Sequence, residues 1–173
     1  MHRQKSLPYA LWLVFGFFLT GCWLLQHSVH AASTIQPLKY GDYQRIIKAA
    51  APDPTIVFVW EIDCAFCKQS MPVLDRLLKE YPHIQLRTIA TDPPEMAAQV
   101  SDILSRFNLL DYPAWLFADS PAWLRKDIDP AWPGTLPRTY LFMDNKKVQS
   151  INGRLEEKKL RSWMQSTLPE YVR

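Results

Sequence analysis

Thr55-Ile56-Val57-Phe58-Val59-Trp60, then Glu61-Ile62-Asp63, then Cys64-Ala65-Phe66-Cys67 is the stretch on which the fold turns. Its first six residues form an unbroken apolar run of β-branched and aromatic side chains. Such a run has the length of a strand buried on both faces. From Cys64 the pattern changes period. Met71, Leu74, Leu77 and Leu78 recur at helical spacing, which predicts a helix from Cys64 to about Tyr81, kinked at Pro72. Cys64 then stands at a helix N-terminus, where unpaired N–H groups and the helix dipole favour a thiolate. Cys67 lies on the same face and can close a disulfide with it. The thiolate is the nucleophile of thiol–disulfide exchange, so Cys64 reads as the attacking residue and Cys67 as the resolving one.

Further elements follow on both sides. Upstream, Ser33 to Tyr40 reads as a tether containing a short strand. Asp42 is placed to cap a helix bearing Tyr43, Ile46, Ile47 and Ala50, which Pro52-Asp53-Pro54 ends. Downstream, Ile84 to Ala90 reads as a strand, and Thr91-Asp92-Pro93-Pro94 opens a helix carrying Met96, Val100, Ile103, Leu104 and Phe107. Ala114 to Phe117 is a further strand. Asp119-Ser120-Pro121 can cap a short helix to about Ile128, followed by a Pro- and Gly-rich loop from Asp129 to Leu136. Thr139 to Met143 and Val148 to Asn152 form a hairpin around Asp144-Asn145-Lys146-Lys147. Gly153 precedes a last helix with Leu155, Leu160, Trp163 and Met164 inward. Strand–helix alternation implies parallel crossovers, and the hairpin adds an antiparallel edge.

The 173 residues suggest one domain with an appendage, and 48% hydrophobic residues suffice for a core. A net charge of +3, with Lys and Arg scattered, gives no nucleic-acid footprint. Residues 1–32 read as a signal, lipoprotein or anchor segment and residues 33–173 as the folded domain. His2, Arg3 and Lys5 precede the uncharged apolar run from Tyr9 to Leu25. Three readings of the segment stand side by side. Leu19-Thr20-Gly21-Cys22 is similar to a lipobox, with Cys22 as the lipidated residue; Val29-His30-Ala31 fits a signal-peptidase site; the run also suits an uncleaved anchor. All three export the domain. Only Cys64 and Cys67 then remain in the folded part, which points to redox work rather than a disulfide framework.

The element order, with Cys-x-x-Cys after the central strand, resembles the thioredoxin fold. Trp60 precedes the first cysteine by four residues and Pro72 follows it by eight. Leu136-Pro137 before a strand is similar to the cis-proline loop of that fold, and Gly153 also fits. The extra strand–helix unit from Ala114 to Ile128 resembles the central insertion of exported, membrane-tethered TlpA/ResA/CcmG-type oxidoreductases. The resemblance spans roughly residues 38–168. It implies an α/β fold, with a central mixed sheet flanked by helices. It also implies that Pro137 orients a substrate strand, which pairs with the backbone of Leu136 by β-augmentation. Trp60 and Arg138 become candidate substrate contacts, with a purely core role for Trp60 equally open. The implied activity is reduction of disulfides in exported clients such as apocytochrome c. Electrons would come from a membrane thiol-transfer protein of the DsbD/CcdA type. The redox-active disulfide needs no metal or organic cofactor.

The departures bear on mechanism. Phe58 stands where thioredoxins carry a buried carboxylate, Ser70 where ResA-type proteins often carry Glu, and Asp63 where an aromatic is usual. Glu61 is the candidate to take the Cys67 proton. Glu61 and Asp63 as anions would raise the Cys64 pKa, and Arg138 is expected to pair with one of them. Other readings remain: a disulfide-donating oxidase, a non-catalytic docking lipoprotein, or half a zinc site. The last lacks ligands, since His83 is the one histidine beyond residue 32.

Overall fold

The computed structural model describes residues 35–167. The expectations for residues 1–32, including Cys22, lie outside them. Twelve elements follow in order. They are β1 (Gln36–Leu38), α1 (Asp42–Lys48), β2 (Thr55–Trp60), α2 (Ala65–Glu80), β3 (Gln85–Ala90), a 3-10 turn (Pro94–Met96), α3 (Ala97–Arg106), β4 (Ala114–Phe117), α4 (Pro121–Ile128), β5 (Arg138–Met143), β6 (Lys146–Asn152) and α5 (Glu157–Thr167). The strands form one mixed sheet in the order β1-β4-β3-β2-β5-β6. β1, β4, β3 and β2 are parallel, and β5 and β6 run antiparallel to their neighbours. The thioredoxin-like α/β architecture is therefore as read from the sequence. The inserted β4 lies between β1 and β3.

Topology distributes the helices. The chain moves in one direction along the sheet from β2 to β3 to β4, so crossovers of one hand put α2 and α3 on the same face. It moves the other way from β1 to β2, which puts α1 on the opposite face. The central strand β2 feeds both layers because its side chains alternate. Ile56, Phe58 and Trp60 pack with Cys67, Met71, Leu74, Leu104, Leu160 and Met164. Val57 and Val59 pack with Ile46, Ile47, Leu124, Ile128, Tyr140 and Phe142 on the other side. β2 is buried along its whole length, as its continuous apolar run requires. The inner stripes expected of α2 and α5 are all buried; each fully buried Leu contributes about 1.5–3 kcal/mol.

The ends of several elements differ in detail from expectation. The α1 cap position is Gly41, in a left-handed conformation (φ 87°). The Asp42 carboxylate instead turns back to accept the Lys39 N–H at 2.9 Å. The α4 helix starts at the expected place without a side-chain cap, because Asp119 accepts the Tyr40 N–H at 2.9 Å. The hairpin turn is the two-residue Asp144-Asn145, both with positive φ. That is the twist-compatible turn for a right-handed strand pair, so β6 begins at Lys146. The Ala51–Pro52 and Leu136–Pro137 peptides are cis. Trp115 and Trp132 are core residues, whereas Trp123 is 64% exposed.

Candidate active site

β2 ends at Trp60, and the chain turns through Glu61-Ile62-Asp63 into α2. The end of β3 braces this turn from the side. The Thr91 N–H donates to the Trp60 carbonyl at 2.8 Å, the Ile62 N–H to Asp92 Oδ2 at 3.1 Å, and Thr91 Oγ1 to Glu61 Oε2 at 3.4 Å. Cys64 is extended (ψ 102°) and forms the N-cap of α2, its Sγ accepting the Cys67 N–H at 3.1 Å. A sulfur thus occupies the position where helix N-termini hold anions.

Cys64 and Cys67 are joined in a disulfide. The two sulfurs differ in access. Cys67 is fully buried, while Cys64 is half-buried and flanked by exposed Asp63 and Ala65. Phe66, between the cysteines, is 58% exposed. Behind Cys67 the core is apolar, because Phe58 and Trp60 pack in the same cluster. Ser70 is also fully buried. Its Oγ donates to the Phe66 carbonyl at 2.8 Å and accepts the Leu155 N–H at 2.9 Å, tying the redox turn to the segment before α5.

The acidic residues gather on the turn side. Burial pushes the Asp92 carboxyl above its usual range; the Ile62 N–H opposes this and the neighbouring Glu61 and Asp63 charges add to it. Asp92 was not singled out by the sequence reading. Its position directly after a parallel strand, where Cys64 also follows one, was the available signal. Among the described residues no group of three His, Cys, Asp or Glu could hold a metal ion.

One expectation is corrected. Arg138 does not pair with Glu61 or Asp63. As the first residue of β5 it shares a face with Tyr140 and Phe142, away from α2. Its guanidinium is buried, donates to Asp129 Oδ2 at 3.0 Å and to Asn152 Oδ1, and lies 4.9 Å from the Tyr140 ring centroid. Strand alternation decides this: a side chain on that face cannot also reach the turn before Cys64. Arg138 is buried at the start of β5. The Trp60 side chain is fully buried in the core. Leu136 is partly buried and packs against both core layers. Register places the segment before Arg138 at the cysteine end of the sheet, since Arg138 pairs with Val59 near the end of β2. The Gly153 N–H donates to the Pro137 carbonyl at 2.9 Å, from a left-handed conformation (φ 78°) that suits glycine.

No family model matches the chain, and no curated protein matches it. Solved structures do. A secreted Mycobacterium tuberculosis disulfide oxidoreductase, homologous to E. coli DsbE, aligns with a TM-score of 0.54 at 15% identity over 68% of this chain and 84% of that one. StoA from Bacillus subtilis aligns with a TM-score of 0.50 at 23% identity, over 65% and 83%. A thioredoxin-like protein in the oxidised form aligns at 0.54 and 19% identity, over 69% and 80%. At these identities the likeness establishes the fold.

Proposed function

We propose that this chain is an exported thiol–disulfide oxidoreductase that reduces disulfides in exported client proteins. The observation that carries the reading is the asymmetry of the Cys64–Cys67 disulfide: the half-buried Cys64 caps a helix N-terminus and Cys67, three residues on, is fully buried. That is the arrangement an attacking and a resolving cysteine need. The fold shared with disulfide oxidoreductases supports it.

In the reduced protein the Cys64 thiolate attacks one sulfur of a client disulfide. The client S–S bond breaks, its other sulfur leaves as a thiolate and takes a proton, and a mixed disulfide forms at Cys64. The Cys67 thiol loses its proton and attacks Cys64 Sγ. The second client thiol leaves, and the Cys64–Cys67 disulfide remains. Two electrons pass from enzyme to client, whose two sulfurs leave as thiolates and take up two protons, one released by Cys67 and one from solvent; a dithiol donor must restore the electrons. A membrane thiol-transfer protein of the DsbD/CcdA type is the donor we propose, with apocytochrome c among the clients and the N-terminal segment as lipid anchor or membrane tether. Glu61 is the proposed acceptor of the Cys67 proton. Pro137 and Leu136 are the proposed docking edge for a client strand.

The reducing direction is favoured by the carboxylates of Glu61, Asp63 and Asp92. Like charge disfavours the Cys64 thiolate, and oxidising members of this chemistry are oxidants because their reduced form is stabilised. The test is the reduction potential of the pair in the full chain, equilibrated with thiol buffers in detergent. A value near roughly −270 mV supports the reductase, and one near roughly −120 mV makes the protein an oxidase. Absence of a reversible two-electron couple would leave a docking protein of the same fold.

A further inference from the structure

Asp129 ends the inserted strand–helix unit, and its side chain is 5% exposed. Four groups converge on it. Oδ2 accepts Arg138 Nη2 at 3.0 Å and Lys147 Nζ at 3.4 Å, Oδ1 accepts the Ala131 N–H at 3.1 Å, and the backbone carbonyl accepts the Trp132 N–H at 2.9 Å. The ion pair with Arg138 is buried on both sides. Burial would raise the Asp129 carboxyl, but the bonds from Arg138, Ala131 and Lys147 outweigh it and hold the carboxyl below its usual range.

A buried ion pair contributes little net stability, because desolvation offsets the Coulombic gain; its best-attested use is to fix one arrangement. Here the arrangement is the segment Thr135–Arg138. Trp132, folded back by Asp129, donates its indole Nε1–H to the Thr135 carbonyl at 2.9 Å. Arg138, gripped by Asp129, also donates to Asn152, its neighbour across β6. Gly153, next in the chain, donates to the Pro137 carbonyl. The bonds therefore fall on both sides of Leu136, at the end of the sheet where β2 delivers Cys64.

We propose that Asp129 is a positioning residue for client recognition. Through Trp132 on one side and Arg138 on the other, it holds the 135–137 segment in the one geometry in which an extended client strand pairs with Leu136 beside Cys64. The occupant is a polypeptide disulfide, and a small disulfide with no strand to offer does not use the device. This rests on the oxidoreductase reading.

The experiment compares full-length wild type with Asp129→Asn and Trp132→Phe, using a protein disulfide (insulin, turned over with dithiothreitol as the dithiol donor) and a small one, 5,5′-dithiobis(2-nitrobenzoate), reacted in a single turnover with pre-reduced enzyme freed of donor. Trp132→Phe deletes one donor and keeps most of the ring, so it serves if Asp129→Asn does not fold. The expected result is a KM for insulin raised roughly 10-fold in Asp129→Asn and about 3-fold in Trp132→Phe, on the scale of one hydrogen bond. The kcat for insulin, the rate with the small disulfide and the reduction potential should not move. An unchanged insulin KM in a folded variant overturns the positioning role and leaves the enzyme reading intact. A parallel fall with both substrates also overturns it, since that is general damage. A wild type that turns over neither disulfide overturns the oxidoreductase reading, and this inference with it.

Discussion

Replacing Ser70 with Ala tests how the redox helix is fastened. Ser70 is fully buried in α2, three residues after Cys67. Its Oγ is the acceptor for the buried Leu155 N–H at 2.9 Å. Alanine leaves that N–H without the hydroxyl, at a cost of about 1–3 kcal/mol for an unsatisfied buried donor. Loss of the bond to the Phe66 carbonyl costs less, because a carbonyl one helical turn back already lies in the α2 ladder. Alanine is the better helix former by about 0.5 kcal/mol, which leaves a net loss of roughly 0.5–2.5 kcal/mol. For a domain of this size that lowers Tm by roughly 2–12 °C. The assay is urea unfolding of the oxidised protein followed by tryptophan fluorescence, with the midpoint shifted and the slope m unchanged. An equal or higher midpoint would refute the argument, since the Leu155 N–H would then have found another acceptor at no cost.

Asp92→Asn should flatten the pH dependence of stability. The folded carboxyl is raised by burial, so its contribution is present below the unfolded pKa and is lost as pH rises through the folded one. The amide removes that loss while still accepting the Ile62 N–H. Asp129 has the opposite sign. Its folded carboxyl is lowered, so its contribution is present above the unfolded pKa of about 3.9 and is lost as pH falls through the folded value. Asp129→Asn should cost about 3–5 kcal/mol at neutral pH by leaving Arg138 buried without its anion, and the acid slope should shrink; unchanged calorimetric stability at pH 7 would contradict this. Phe66→Ala should change stability by less than about 0.5 kcal/mol, because the ring is 58% exposed, and any loss of insulin turnover with stability intact would mark Phe66 as a client contact.

The Cys64–Cys67 pair, its place after a fully buried strand, and the inner stripes of α2 and α5 were all legible in the sequence. Each depends on local periodicity or on short-range geometry: a cysteine at the start of a helix and one three residues later share a face whatever surrounds them. The inserted strand–helix unit was legible for the same reason. Its site in the sheet, between β1 and β3, was not, because pairing partners are set by packing between distant segments. The partner of Arg138 failed on that same ground. Adjacency to Pro137 suggested a charge near the cysteines, but the position of residue 138 in β5 fixed which face the side chain takes. Asp129 and Asp92 read in sequence as loop and helix-start residues. Only the tertiary structure brought Asp129 onto Arg138 and Asp92 onto the Ile62 N–H, since a buried carboxylate is defined by donors that lie nine and thirty residues away in the chain.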